Sequence, residues 1–549
     1  MLKHFLQTNT NAVTDSLSRM NRQMEEANTE EQAKLLGLPY VNLHAFPADI
    51  NTLSMFSEAD ARNAESVVFS KDKEVLRVAT HNPNNPLLKE KLKELEEKHK
   101  TQIYIVSKSG LDYAMSFYKY VVSPHAHISE EVRLDPKKDY VEFLSQLKST
   151  EAQQALNITE LIGDLFGAAM QLSASDIHFE PEDHIVKIRY RVDGVLQDLL
   201  HLDKSIQSTA VSRVKILSKL KLNVENLPQD GRITFMWGTD PVDVRVSSLP
   251  SAYGEGLVLR LLGVGAVKLK LNDLGLTGRS YKIIETELGK PNGMIITTGP
   301  TGSGKTTTLY AFLNELNEPG VKIITIEDPV EYKLEGISQT PIDHNVDFSF
   351  AKALRAILRQ DPDIVMVGEI RDTETAETAL QASLTGHIVL STLHTNDSFG
   401  AVPRLITMGA KPFIIAPALN AVIAQRLVRR LCTSCKTTAT LQPDLLERIT
   451  KILQSIPPAA ETPLPEKLEF FHAPGCKECN NLGYKGRMGI YEVIHINDQM
   501  KELILKSSSM LDLKTQAIKD GTITMIQDGL LKALEGITDV EEVFRVAGE

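Results

Sequence analysis

Residues 299–306, Gly-Pro-Thr-Gly-Ser-Gly-Lys-Thr, lie between the apolar run MIITT (294–298) and the helix-like run TTTLYAFLNEL (306–316). The spacing fits G-x-x-x-x-G-K-[ST], and a strand before it and a helix after it supply the context that gives such a loop meaning. Gly299, Pro300, Thr301, Gly302, Ser303, Gly304, Lys305, Thr306 and Thr307 are the candidate phosphate-binding residues. Backbone N–H groups along this loop can wrap phosphate oxygens, helped by the positive end of the helix that follows. Lys305 supplies a compact positive charge for the outer phosphates, and Thr306 a hydroxyl for Mg²⁺. A glycine-rich turn with an incidental lysine is the bland alternative, and the flanking strand and helix argue against it.

Working outward, apolar strands and helices alternate through MIITT, KIITIE (322–327), DIVMVGEI (363–370) and HIVLSTLH (387–394), the pattern of a largely parallel sheet with crossover helices. Glu369 follows the buried strand 364–367. Ligands of open α/β sheets sit at the carboxyl ends of strands, so Glu369 is expected near the phosphates and the metal, acting through a metal-bound water. ITIEDPVEY (324–332) brings Glu327, Asp328 and Glu331 after another apolar strand, and one of these carboxylates is expected to orient or activate water. In isolation the segment reads as a solvated acidic loop; beside a phosphate-loop strand it reads as part of a site. His387 and His394 flank the strand IVLSTL and are expected to sense nucleotide, against the general tendency of a lone histidine to be structural.

The chain has 549 residues, 42% hydrophobic and 24% charged, enough for three to four domains at about 150 residues each. Sixty Lys+Arg against 71 Asp+Glu leave a net charge of -11, without the basic excess of a nucleic-acid binder. The most apolar stretch, 413–424, is too short to cross a membrane and contains Pro417 and Asn420. Polar residues from Gln7 onward interrupt any signal-peptide core, so a cytoplasmic location is expected.

Before the phosphate loop, a helix broken at Gly37 and Pro39, strands 66–70, 75–80 and 103–107 and a charged helix 87–100 suggest a small α/β module at 1–135. The polar stretch 123–138 reads as a linker. A helical run from Asn157 to Leu172, then DIHFEP, IVKIRYRVDGVL, RITFMW, VDVRVSSLP and LVLRLL with one intervening helix, describe an α+β domain at 150–265. The α/β domain occupies 270–549, and the Pro-bearing run Ser455 to Glu466 reads as a loose insertion.

Four cysteines are too few for a disulfide scaffold, and all fall in two pairs, Cys432-x-x-Cys435 and Cys476-x-x-Cys479. The pairs are further apart than in a compact ribbon, but four thiolates suit a closed structural Zn²⁺ site within a module at 430–490. A redox pair needs only one Cys-x-x-Cys in a thioredoxin-like setting, which is absent here.

GPTGSGKTTTLY, ITIEDPVEY, LRQDPDIVMVGEIRD and TGHIVLSTLHTND together resemble the Walker A, Asp, Walker B and His boxes of the secretion ATPase superfamily, the motors of type II secretion and type IV pilus systems. SDIHFEP, RYRVDGVL and PQDGRI look like the N-terminal half of that motor core. The resemblance covers roughly residues 150–549. It implies a RecA-like P-loop ATPase domain preceded by a PAS-like α+β domain and a small N-terminal α/β domain, and a homohexamer that hydrolyses ATP with Mg²⁺, the nucleotide being bound between the two halves of the core.

Residue by residue, the resemblance makes Glu331 the catalytic glutamate and Glu369 the Walker B acid. It makes Arg245 and Arg260 the arginines that reach the phosphates, a task that suits the guanidinium fork. Arg355, Arg359 and Arg371 match arginines used at domain and subunit contacts, and Arg487 in NLGYKGRMGIYEV is placed at an adjacent site. The cysteine pairs resemble the metal module of pilus-extension and secretion ATPases, which retraction motors generally lack. The expected partners are an inner-membrane platform protein and, indirectly, pilin or pseudopilin machinery, reached from the cytoplasmic side. KLLGLPYVNL (34–43) looks like the start of the platform-docking domain; the first 150 residues hold no Arg-Leu-Gly triplet, which argues against control by cyclic di-GMP. Two readings compete. A retraction or DNA-uptake motor is disfavoured by the cysteines. A zinc-ribbon nucleic-acid-binding protein is disfavoured by the acidic balance and by the lack of interleaved aromatics near them.

Overall fold

The computed structural model describes residues 24–44, 48, 50–72, 75–96, 99–120, 132–147, 157–222, 224–263, 269–343, 346 and 348–548. The opening residues read for an export signal, most of the stretch read as a linker, and the junctions at 148–156 and 264–268 lie outside the described residues. Two compact units result, one of 1–132 with 221–225 and one of 133–220 with 226–549. Among the described residues no helix is long and apolar enough to cross a membrane.

In the N-terminal unit, strand β1 (Ser66–Asp72) pairs antiparallel with β2 (Val75–Thr80), which pairs parallel with β3 (Lys100–Ile105) through the crossover helix Pro86–Glu96. Leu88 and Leu92 of that helix, four apart, close on Val67, Leu76 and Val78 of the sheet. Ser107 caps the helix Lys108–Met115 through the Gly110 N–H and donates its hydroxyl to Glu26, fixing the helix 24–36 to the sheet.

The second unit holds two seven-stranded sheets. The first comprises β4 (Val132–Leu134), β5 (Ala174–Pro181), β6 (Ile185–Val192), β7 (Val195–Asp203), β8 (Gln229–Trp237), β9 (Asp240–Ser251) and β10 (Gly254–Leu261), in the order β4-β8-β9-β10-β5-β6-β7. The end of the stretch read as a linker is therefore an edge strand. Alternation along β6 buries Val186, Ile188, Tyr190 and Val192 and turns Lys187, Arg189 and Arg191 to the other face. The buried face meets the helix Ile158–Gln171, with Phe166 stacked on Phe235 at 5.0 Å and Asn157 capping the helix start.

The second sheet comprises β11 (Gly293–Thr298), β12 (Ile323–Glu327), β13 (Ser338–Pro341), β14 (Ile364–Val367), β15 (Ile388–Leu393), β16 (Leu419–Leu431) and β19 (Tyr484–His495), in the order β13-β12-β14-β15-β11-β16-β19. All neighbours pair in parallel except β16 and β19. β11, β12, β14 and β15 are buried at every residue because helices cover both faces, which explains their continuous apolar runs. Between β16 and β19 the chain makes an excursion with a two-stranded ribbon, β17 (Thr437–Ala439) and β18 (Phe470–His472), and the helix Pro443–Gln454. The run 455–466 is not loose. Ala460 is 2% exposed, and the chain passes so close to Gly521, at φ +96°, that a Cβ there would meet the Ala459 carbonyl oxygen at 2.4 Å.

Candidate functional site

Parallel strands present their carboxyl ends on one side of the sheet, and the loop after β11 is held there by its neighbour β16. Gln425, 1% exposed, donates its amide N–H to the Ser303 carbonyl at 2.7 Å. Gly299 lies at φ +147° with no room for a side chain: a Cβ would meet the Gln425 carbonyl and Ser303 Oγ, each at 2.7 Å. Gly304 takes the left-handed conformation at the start of the helix Lys305–Leu316, which aims first-turn N–H groups out of the sheet edge. Lys305 Nζ donates to the carbonyls of Gly299 (2.9 Å) and Pro300 (3.1 Å). Burial lowers its pKa below the usual ammonium range while Glu369 pulls it back up.

β14 ends two residues before Glu369, whose side chain is 13% exposed, pairs with Arg371 and lies 3.5 Å from His394 Nε2 at the end of β15. Gly368 between them carries its N–H to the Ile326 carbonyl, joining the ends of β14 and β12. The three acids after β12 separate in role. Glu327 is 3% exposed and fully engaged: it accepts from Tyr310 Oη, from Thr325 Oγ1 at 2.6 Å and from Gln339 Nε2 at 3.1 Å. It ties the helix after the phosphate loop to the acidic segment, so the bland reading of a solvated acidic loop does not hold at this position. Glu331 is more open, with 37% of its side chain exposed.

The first sheet contributes from across the cleft. Arg245 Nη2 lies 3.7 Å from Glu331 and 3.5 Å from the Val330 carbonyl. Arg260 donates to Asp176 at 2.9 Å and still faces the cleft. Arg487 at the start of β19 lines the cleft too; Asp193, at the tip of the β6–β7 hairpin, accepts the Gly486 N–H at 2.9 Å and lies 3.7 Å from Arg487 Nε. The cleft so formed, about 480 Å³, is lined by the phosphate loop, Glu331, Glu369, His394, Arg260 and Arg487, while Arg245 stands beside it against Glu331. Thr306 and Glu369 present hard oxygen ligands to it, which fit Mg²⁺.

Not every expected residue arrives. His387 precedes β15 and therefore lies at the amino end of the strand, opposite the cleft. Its Nδ1 lies 2.9 Å from the Ala382 carbonyl, and the histidine closes a helix-to-strand turn rather than sensing nucleotide. Arg355 pairs with Glu374, and Arg359 donates to the Arg355 carbonyl, both outside the cleft, whereas Arg371 lines it. Sequence reading missed Gln425 and Asp193. Their positions depend on strand pairing and hairpin reach, and no local motif marks them.

The four cysteine sulfurs lie within 4.8 Å of one another, with 3.8 Å between Cys432 and Cys476 and between Cys476 and Cys479, and 3.9 Å between Cys435 and Cys479. A tetrahedral ion with bonds of about 2.3 Å to sulfur needs edges of about 3.8 Å, so the set fits Zn²⁺. Burial alone would raise the Cys479 thiol, but the N–H groups of Cys476 (3.1 Å) and Gly483 (3.3 Å) bring it down to about 6.

Comparison with known proteins finds the Type II/IV secretion system protein family over residues 151–545 and the MshEN domain over 36–118. The Type II secretion system protein E of Pseudomonas aeruginosa is 48% identical over 399 residues, 73% of this chain and 77% of its own. The Type II secretion system ATPase E of Vibrio cholerae is 42% identical over 471 residues, 84% of this chain and 91% of its own. The X-ray structure of the Legionella pneumophila ATPase DotB covers 70% of this chain and 94% of that one at TM-score 0.51 and 21% identity, a likeness of fold.

Proposed function

We propose, from the premise that the chain belongs to the Type II/IV secretion system protein family and is an ATPase, that it acts as a cytoplasmic homohexameric motor. Its work is the assembly of pilin-like subunits through an inner-membrane platform protein. The names of its relatives favour a type II secretion pseudopilus over a type IV pilus. One observation carries the motor reading: a single cleft draws its lining both from the P-loop sheet and, through Arg260, from the sheet before it. Contacts made by both halves differ between ATP and ADP, which converts hydrolysis into relative rotation.

In this reading the loop 299–307 holds the phosphates and Lys305 turns from the loop carbonyls to the outer phosphate oxygens. Glu331 accepts a proton from the attacking water, Arg245 and Arg260 balance charge on the transferred phosphoryl group, and His394 reports the nucleotide state to Glu369. Thr306 and, through a water, Glu369 would hold Mg²⁺, which when bound would supply charge neutralisation for the outer phosphates. Cys432, Cys435, Cys476 and Cys479 hold a structural Zn²⁺. The first seven-stranded sheet is read as the PAS-like half and the second as the RecA-like half, and the segment matching the MshEN domain as the platform-docking module.

The test is replacement of the chain by its Lys305→Ala form in the source organism. Retention of secreted proteins inside the cell envelope, with surface pili intact, supports the pseudopilus; loss of pili with normal secretion reassigns the motor to pilus extension.

A further inference from the structure

Five charged side chains form one row across the face of the first seven-stranded sheet that is turned away from its buried core. Register pairs Arg232 with Arg245, Arg245 with Arg260, Arg260 with Asp176 and Asp176 with Arg191, across β8, β9, β10, β5 and β6. Directly paired residues share a face about 5 Å apart, and like charges in that position destabilise a sheet. At one end the row is balanced: Asp176, with 5% of its side chain exposed, takes Arg260 Nε at 2.9 Å on one oxygen and Arg191 Nε at 3.4 Å on the other. Toward the other end it is not. Arg245 has only Glu331, at 3.7 Å, and Arg232 has no carboxylate within 4 Å among the described residues. Burial depresses the Arg245 guanidinium, and Arg232 and Arg260 depress it further against the pull of Glu331 and Asp328.

A second cleft of about 630 Å³ opens over this end of the row. Arg232, Arg245, Arg260 and Ser247 line one side, Asp328 and Pro329 belong to the other, and Asp230 is its acid on β8. Arg260, Asp328 and Pro329 line the nucleotide cleft as well, so the two spaces adjoin at its phosphate end. Among the described residues no aromatic side chain lines the side cleft to receive a base, whereas three guanidinium groups in a row suit one tetrahedral oxyanion.

We propose that the side cleft, with Arg232 as its outermost ligand, is a second anion site that receives the orthophosphate released by ATP hydrolysis before it leaves the protein. The proposal rests on the placement of ATP on the loop 299–307. Arg260 is the shared wall: it faces the phosphate end of the nucleotide cleft and the side cleft alike, so product passes along the arginine row rather than directly into water.

The experiment is equilibrium dialysis of radiolabelled orthophosphate against the full chain without nucleotide, alongside Mg²⁺-dependent ATP turnover. Lys305→Ala removes binding at the phosphate loop, so its residual orthophosphate binding reports the side cleft. The expected result is binding by Lys305→Ala that weakens at least tenfold when Arg232→Gln is added and is partly restored by Arg232→Lys in its place. Loss of all binding in Lys305→Ala alone, or equal binding with and without Arg232→Gln, overturns the proposal. So does a fall in ATP affinity of the Arg232→Gln chain as large as its fall in orthophosphate affinity, because Arg232 then serves the nucleotide itself. Arg232 is exposed, and circular dichroism of each variant separates lost binding from lost fold. Absence of ATP turnover in the unaltered chain would count against the nucleotide assignment and leaves the dialysis result to be read separately.

Discussion

Arg245 reaches Glu331 across the boundary between the two seven-stranded sheets, 3.7 Å from guanidinium to carboxylate, and adds a contact to the Val330 carbonyl at 3.5 Å. The arginine assigned to the phosphates and the acid assigned to the water are thus each other's partners. In the proposed reading, a phosphate that drew Arg245 away would release Glu331 as an acceptor, so that charge neutralisation and base activation would be one event.

Arg245→Gln is expected to lower kcat by about 10²-fold, the cost of losing one donor to a developing anion. The ion pair is partly exposed and loose, so it contributes about 0–1 kcal/mol to stability and Tm should move by no more than about 4 °C. Steady-state phosphate release and differential scanning fluorimetry together check this. A large Tm drop with proportional loss of activity would make Arg245 a structural tie and nothing more.

Glu369→Gln and Lys305→Ala separate metal from phosphate. Glu369→Gln keeps the size of the side chain but removes the charge that faces Arg371, His394 and Lys305. It should still bind fluorescent ATP while turnover falls at least about 10²-fold. Lys305→Ala should lose nucleotide affinity as well as turnover.

Most of this site was legible because its parts are local. The loop 299–306 declares itself by spacing, and Glu369 and His394 follow fully buried strands whose apolar runs are visible in the chain. His387 misled for the same reason: its sequence distance from the strand equals that of His394, and only strand direction tells the two ends apart. Glu327 and Glu331 also look alike in sequence. Tyr310 and Gln339, 17 and 12 residues from Glu327, decide which is buried. The arginine row was illegible because Arg232, Arg245 and Arg260 meet only through the register of three strands.

The cysteine cluster should carry one zinc per chain by metal analysis of the purified protein. Its four sulfurs come from the end of β16 and the approach to β19, so an ion held there would close an excursion whose small core of Ile449, Leu453 and Phe470 packs against Leu530 and Val543. Cys476→Ser should release the metal and speed proteolysis within 436–475, with little change in nucleotide binding at the distant loop. Full metal retention in Cys476→Ser would remove Cys476 from the ligand set.

Acid should loosen the C-terminal helix Val540–Ala547 through Glu542. That carboxylate, 1% exposed, accepts the Arg429 N–H at 2.9 Å, Arg429 Nη2 at 2.9 Å, and Arg545 from one turn along its own helix. Burial alone would raise its pKa, but the Arg545 and Arg429 hydrogen bonds outweigh burial and bring it down to about 2. A depressed folded-state pKa contributes stability that is present above the unfolded value near 4.5 and is lost as pH falls through the folded value. The window is therefore about pH 4.5 down to 2, and the shift corresponds to about 3 kcal/mol. Glu542→Gln should cost that order of stability above pH 5, because it leaves Arg429 and Arg545 facing a neutral amide, and the difference from the unaltered chain should shrink steadily below pH 4.5. Chemical denaturation of both proteins from pH 7 to pH 3 reads the effect, and a difference that stays constant with pH would show that Glu542 acts by packing and not by charge.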